Sequence, residues 1–338
     1  MRILMVIKIL ITITLATSLW PSHSSAQTAS YDFALFNSER ASWQPEVEAL
    51  KDFLHATGKS FEEVDARMIQ TGVLQPQRHR ALLMPGGLVG KLSYELSASG
   101  VENIRDFIHS GGGYLGICAG AALAACRFEV ALETAPGKSA HSPSDYFNIR
   151  YPHLLQLWPG EARSPYEWAP FLRGGRVEGV QITGQAPLAQ GLPAESRMFY
   201  LAGPSLPMAD WTPDKLPVGL EIWGKIQPPP GIELDPLQRA AIVKFQYGRG
   251  KVVLFAHHPI VPIEGGDALD LTKQPEKLDA AMARSQDSSS NWRNWNLLNA
   301  AMLTVTNEPV QTLNKQETLR RMTLDWKRKC ELSFRSAL

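Results

Sequence analysis

The chain has 338 residues, of which 44% are hydrophobic and 20% are charged, and its formal net charge at pH 7 is +1. This composition provides a packed core and argues against gross disorder. The near-zero net charge gives no electrostatic basis for binding nucleic acid or an anionic membrane surface.

The first 26 residues have the pattern of a secretory signal peptide. Arg2 and Lys8 flank an apolar run over residues 9–16, and small residues follow at Ser24 and Ala26. The pattern predicts cleavage after Ala26, a periplasmic or secreted protein, and no membrane attachment once the leader is removed. An uncleaved anchor helix is the alternative, which the shortness of the apolar run disfavours.

Strand and helix patterns alternate from residue 31 to about residue 125. The predicted elements are, in chain order, a strand at 31–36, a helix at 44–56, strands at 61–64 and 80–84, a helix at 101–110, and a strand, turn and helix over 111–122. Such alternation is typical of a parallel sheet covered on both faces. Ligands bind beyond the C-terminal ends of the strands in sheets of this kind.

The remainder of the chain has a different amino-acid composition. Residues 127–240 are rich in Pro, Gly and Trp, and they predict antiparallel strands that extend one edge of the same domain, with an independent domain as the alternative. Two strands at 240–245 and 251–256 form a predicted hairpin, and a closing helix is predicted at 294–303. We assign one domain to 27–310 and a helical tail to 311–338.

The segment from Gly111 to Ala122 carries the main chemical signal. It reads as an apolar strand, a sharp turn at Cys118 and a helix of small residues, with Gly116 and Gly120 two positions either side of the cysteine. A nucleophile in this position stands on strained backbone at the rim of a sheet, and the helix N-terminus stabilises a thiolate. The plain alternative is a small buried cysteine in a glycine-rich turn.

A thiol nucleophile also requires a base and donors for an oxyanion. The strand at 251–256 delivers His257 and His258, of which His258 is the preferred base and His257 the alternative. The amide after the nucleophile, at Ala119, supplies one donor. Gly86 or Gly87, at the end of the strand at 80–84, supplies the second.

These motifs, in this order, resemble the class I glutamine amidotransferase-like superfamily. The nearest sub-family is the one named for the N-terminal domain of biotin-protein ligases, which the run from Gly112 to Ala121 matches strongly. The resemblance implies an α/β fold, a flavodoxin-like three-layer sandwich with a mostly parallel sheet and an antiparallel elaboration. It also implies Cys118 as nucleophile, His258 as base, and the Gly87 and Ala119 amides as the oxyanion hole.

One position departs from the family pattern. Members with a working triad have an acid two residues after the histidine, where this chain has Ile260. Isoleucine cannot orient an imidazole. Glu264 is therefore assigned as the orienting acid, and Asp267 and Glu39 are the alternatives.

The sequence accordingly predicts an exported thiol hydrolase that cleaves an amide, γ-glutamyl or peptide-like, in a small-molecule or peptide-like substrate. A catalytically inactive binding protein that retains the elbow but lacks the acid is the alternative. We expect no cofactor and no metal; zinc bound by Cys118, His258 and a carboxylate is the alternative class of site. Cys126 and Cys330 either pair or stay reduced.

Overall fold

The fold is given by a computed structural model. It describes residues 30–129, 153–163, 176–188, 194–206 except 202, 216–228, 234, 239–264 except 262, 267–268 and 289–321. The predicted signal peptide at 1–26 and the chain beyond residue 321, which includes Cys330, lie outside these ranges.

The first part of the chain alternates strand and helix. Its elements are β1 (Tyr31–Phe36), α1 (Gln44–Ala56), β2 (Phe61–Val64), α2 (Ala66–Gln70), β3 (His79–Met84), α3 (Val89–His109), β4 (Gly113–Ile117), α4 (Ala119–Leu123) and β5 (Ala125–Glu129).

The second part is mainly strand. Its elements are β6 (Trp158–Arg163), β7 (Arg176–Ile182), β8 (Glu195–Tyr200), β9 (Glu221–Gln227), β10 (Ala240–Tyr247), β11 (Gly250–Phe255), β12 (Ile263–Glu264), β13 (Asp267–Ala268) and α5 (Ser289–Val305). Residues 315–321 are helical.

Nine strands form one sheet in the order β2-β1-β3-β4-β11-β10-β9-β7-β8. The strands from β2 to β11 pair in parallel, and those from β11 to β8 pair antiparallel. The fold is thus the predicted α/β sandwich, and the antiparallel strands extend its edge as expected. Two short sheets, β5-β6 and β12-β13, lie apart from it.

Helices cover both faces of the parallel strands. Alternate residues of β1 divide between two clusters, since Leu35 packs in the cluster with α1 and α5 while Phe36 packs in the cluster with α3 and α4. In the centre of the sheet, Leu83 pairs with Leu115, and Leu115 pairs with Val253. This sheet between two helical layers aligns the C-terminal ends of β1, β3, β4 and β11 along one edge.

Several boundaries differ from the predicted ones. The helix predicted at 101–110 begins at Val89, because α3 contains two helical runs joined at Ser97, whose φ is 56°. Helix α2 was not predicted. Among the described residues, we find no helix with both the length and the apolar character needed to cross a bilayer.

Candidate active site

Cys118 stands on the strained turn predicted from its glycines. Its φ of 50° and ψ of −106° place it just before α4, and its N–H donates to the Phe255 carbonyl at 2.8 Å. A Cβ on Gly120 would lie 2.3 Å from the Met84 carbonyl oxygen, and one on Gly116 would lie 2.8 Å from Gly120. Only glycine allows strand and helix to approach this closely, so the turn holds Cys118 at the end of β4.

His258 reaches the same edge from the end of β11. Its N–H donates to the Phe199 carbonyl at 2.9 Å, which ties the residue to β8. Its side chain is only 1% exposed. The imidazole is therefore fixed in position rather than free in a loop.

Glu46 is the carboxylate that contacts this imidazole. Its Oε1 lies 2.7 Å from Nδ1 of His258, and its Oε2 accepts a hydrogen bond from the Gly86 N–H at 2.5 Å. The Glu46 side chain is fully buried. A buried carboxylate with both oxygens engaged is held rigidly, as the orienting member of a catalytic triad must be.

The three side chains converge on one point beside Gly86. A Cβ placed on Gly86 would lie 2.8 Å from Oε2 of Glu46, 2.8 Å from Cε1 of His258 and 3.4 Å from Cβ of Cys118. Glycine is required here because any side chain would enter the space these groups occupy.

The charges of the site favour a protonated imidazole. Burial alone would lower the pKa of His258, but the Glu46 carboxylate, with a further contribution from Cys118, raises it to about 10. The ring therefore carries its proton at neutral pH. A protonated imidazole next to a cysteine favours the nucleophilic form of its sulfur.

The structure shows no regular hydrogen bond between the Cys118 thiol and the His258 imidazole. Sγ of Cys118 donates to the Leu201 carbonyl at 3.4 Å, and Nε2 of His258 has no regular hydrogen-bond partner among the described residues. Catalytic hydrogen bonds are commonly long or misaligned before a substrate binds. Nε2 is thus the ring nitrogen left for exchanging a proton with the sulfur or a substrate.

Of the glycines predicted to bind an oxyanion, Gly86 is unsuitable as a donor. Its N–H donates to Oε2 of Glu46, which leaves Gly87, the other glycine that the sequence offered, as the second donor. Gly87 is half-buried with a φ of 155°, and within the described ranges no acceptor takes its N–H or that of Ala119. These two amides stay the candidates for an oxyanion hole.

His257, the alternative base, belongs to a different pair. Its Nε2 lies 3.1 Å from Oε2 of Glu178, and its ring centroid lies 5.0 Å from that of Tyr200. The His257 side chain is fully buried. The structure therefore separates the two adjacent histidines, and only His258 joins Cys118.

The predicted acid Glu264 lies in β12, and its side chain is not among those described. Glu39 is exposed, and Ile260 is fully buried. Sequence reasoning missed Glu46, although a signal existed. Glu46 stands at helical spacing with Leu50 and Phe53, so it is a carboxylate on the core-facing stripe of α1.

The structure bears on two other hypotheses from the sequence, a metal site and a disulfide. Among the described residues, no group of three side chains suited to metal binding is found. Cys118 and Cys126 form no disulfide with each other or with another cysteine that the structure describes, and Cys126 is exposed. The pairing of Cys126 with Cys330 stays a prediction.

Comparison with known proteins adds a family and several fold relatives. The profile of the family described as "Biotin-protein ligase, N terminal" matches residues 37–325. The chain is 24% identical over 211 residues to the biotin-protein ligase of Schizosaccharomyces pombe (strain 972 / ATCC 24843), an alignment that covers 60% of this chain and 29% of the ligase. The chain thus spans less than a third of that relative's length.

Solved structures of low sequence identity also resemble the chain. A glutamine amidotransferase from Thermotoga maritima matches with a TM-score of 0.43 and 11% identity, covering 87% of this chain and 98% of the other. Another glutamine amidotransferase matches with a TM-score of 0.39 and 15% identity, covering 68% and 90% respectively.

Proposed function

Since the chain belongs to the biotin-protein ligase N-terminal family, and since its elbow cysteine lies beside a buried His–Glu pair, we propose that it is a thiol hydrolase that cleaves an amide bond. The observation that carries the proposal is the 2.7 Å contact between Nδ1 of His258 and Oε1 of Glu46, next to Cys118. This contact supplies the orienting acid that the sequence lacks at position 260.

The proposed mechanism begins from a thiolate and an imidazolium. The Cys118 sulfur attacks the amide carbon, and the Gly87 and Ala119 amides donate to the oxyanion. The carbon–nitrogen bond breaks as Nε2 of His258 gives its proton to the leaving amine. His258 then takes a proton from water, whose oxygen attacks the thioester, and the carbon–sulfur bond breaks to release the acid.

Alkylation kinetics test the activated thiol. We expect iodoacetamide to modify Cys118 at pH 6.5 at least about tenfold faster than it modifies glutathione, because an ordinary thiol titrates near pH ~8.5. Cys126 is not a suitable reference, because burial raises the pKa of its thiol. Glu46→Gln is expected to slow the reaction of Cys118 by about tenfold, because it removes the charge that keeps His258 protonated.

Turnover of model esters tests the proposed hydrolytic activity. We expect Cys118→Ala to abolish hydrolysis of p-nitrophenyl esters and His258→Ala to reduce it by about a hundredfold or more. Equal alkylation rates of Cys118 and glutathione, or turnover that survives Cys118→Ala, would refute the proposal. A reactive Cys118 without turnover would favour the alternative of a binding protein.

We further propose that the chain is exported. The support is the leader pattern of residues 1–26 with its small residues before position 27. In a periplasmic or culture fraction, the intact mass should correspond to a chain that begins at Gln27. Recovery only of a chain that retains Met1, in the cytoplasm, would count against export.

A further inference from the structure

Aromatic rings surround the imidazole of His258. The Trp43 ring stands nearly perpendicular to it, with centroids 5.0 Å apart and an interplanar angle of 81°. The Phe199 ring lies 5.5 Å from His258 and 5.8 Å from Trp43. Phe199 is fully buried whereas Trp43 is only half-buried, so part of the aromatic residue that packs on His258 stays accessible.

The backbone ties this tryptophan to the glycines at the end of β3. The Trp43 N–H donates to the Gly86 carbonyl at 2.8 Å, and an isolated β-bridge joins Ser42 to Gly87. Leu88, which follows the candidate oxyanion donor, is 52% exposed. Two accessible apolar residues therefore adjoin the backbone that carries Gly86 and Gly87.

The charged groups that the structure describes at the site are paired with each other. Glu46 is the charged side chain that contacts His258, and both of its oxygens are engaged. A γ-glutamyl substrate brings an ammonium and a carboxylate. Charges that lose water without gaining a partner bind poorly, whereas an apolar group gains from contact with Trp43.

We propose that the acyl side of the substrate carries an uncharged apolar or aromatic group that packs on Trp43, rather than the charged head of a γ-glutamyl compound. This inference rests on the thiol hydrolysis proposed above, and it makes Trp43 a specificity-determining residue. The inference favours a peptide-like amide substrate over a γ-glutamyl one.

The test compares three alkylating agents on the full chain at pH 7. For each agent, the rate of modification of Cys118 is divided by the rate at which the same agent modifies glutathione. The agents are iodoacetamide, N-benzyl iodoacetamide and 6-diazo-5-oxo-L-norleucine, which has the charged head of glutamine. We expect N-benzyl iodoacetamide to exceed iodoacetamide by about tenfold at Cys118. The norleucine reagent should show no such gain.

Substitutions at Trp43 assign the preference to this side chain. Trp43→Ala should bring the ratio of the benzyl rate to the iodoacetamide rate close to one, and Trp43→Phe should retain most of it. Tyr247→Ala is the matched control, because Tyr247 is also a half-buried aromatic residue. It pairs with Gly250 at the start of β11, the end of that strand away from His258, so its substitution should leave the ratio unchanged.

The outcomes separate the two proposals. A slow reaction of Cys118 with iodoacetamide contradicts the activated thiol. A fast reaction with iodoacetamide but no benzyl preference, or a preference for the norleucine reagent, overturns only the inference about the substrate. The wild-type ratios decide this even if Trp43→Ala fails to fold.

Discussion

At the scale of single residues, the site depends on a carboxylate brought from a distant part of the chain. Glu46 precedes His258 by 212 positions, and it contacts Nδ1, the ring nitrogen that the acid of a catalytic triad orients. Ile260, which replaces that acid, is fully buried among apolar residues. A triad requires a carboxylate at the right place in space, and the chain position that supplies it is free to change.

Gly86 provides a sharp test at this scale. Gly86→Ala puts a methyl group 2.8 Å from both Glu46 Oε2 and His258 Cε1, so we expect it to displace the pair and to slow alkylation of Cys118 by about tenfold or more. The rate of iodoacetamide modification at pH 6.5 measures this. Gly184→Ala is the control, because a Cβ there meets nothing within 4 Å. Equal rates in both variants would show that Gly86 does not hold the pair in place.

At the scale of elements, the backbone of α3 departs from helical geometry at one residue. Ser97 has a φ of 56° and a ψ of −178° inside the span Val89–His109, a conformation that side chains adopt only at a cost. The kink separates a first helical run, which begins next to the site, from a second run whose Ile104 and Phe107 pack on the sheet.

We expect Ser97→Gly to stabilise the protein by about 1 kcal/mol, because glycine adopts this backbone conformation without strain. Chemical denaturation of the purified protein measures the change in free energy of unfolding. Ser99→Gly, two positions away in the same helix, should instead cost about 0.5 kcal/mol. If Ser97→Gly destabilises as much as Ser99→Gly does, the strain assigned to this position is absent.

At the scale of the whole molecule, one sheet joins the alternating part of the chain to the antiparallel part. Strand β11 pairs with β4 on one side and with β10 on the other, so no break in hydrogen bonding divides the nine strands. The cluster that contains α1 and α5 includes Leu115 from the parallel half and Ile226 from β9. This continuity favours unfolding of the two halves together.

Ile226→Ala tests that coupling. The side chain is 1% exposed, and its truncation should cost about 2–5 kcal/mol. We expect hydrogen exchange to accelerate equally in peptides from β9 and from β3. Val218→Ala, at a residue 71% exposed, should change stability by less than about 0.5 kcal/mol. Acceleration confined to β9 would indicate that the antiparallel strands open as a separate unit.

The sequence by itself determined the elements whose signals are local. The bounds of β1, α1 and β2 agree with the predicted ones, because periodicity and flanking turns are carried by neighbouring residues. The elbow at Cys118 was equally readable, since the glycines that permit it stand two positions away. The alternation of strand and helix also predicted the parallel sheet, and the position of His258 at the end of a strand predicted the base.

Tertiary structure alone decided which groups meet. It placed Glu46 rather than Ile260 or Glu39 on the imidazole, turned His257 towards Glu178, and engaged the Gly86 amide. These are contacts between residues far apart in the chain, and their geometry depends on how β1, β3, β4 and β11 align at one edge of the sheet. Local patterns carry no information about that alignment, so a carboxylate buried on the apolar stripe of α1 became a site residue only when the sheet was assembled.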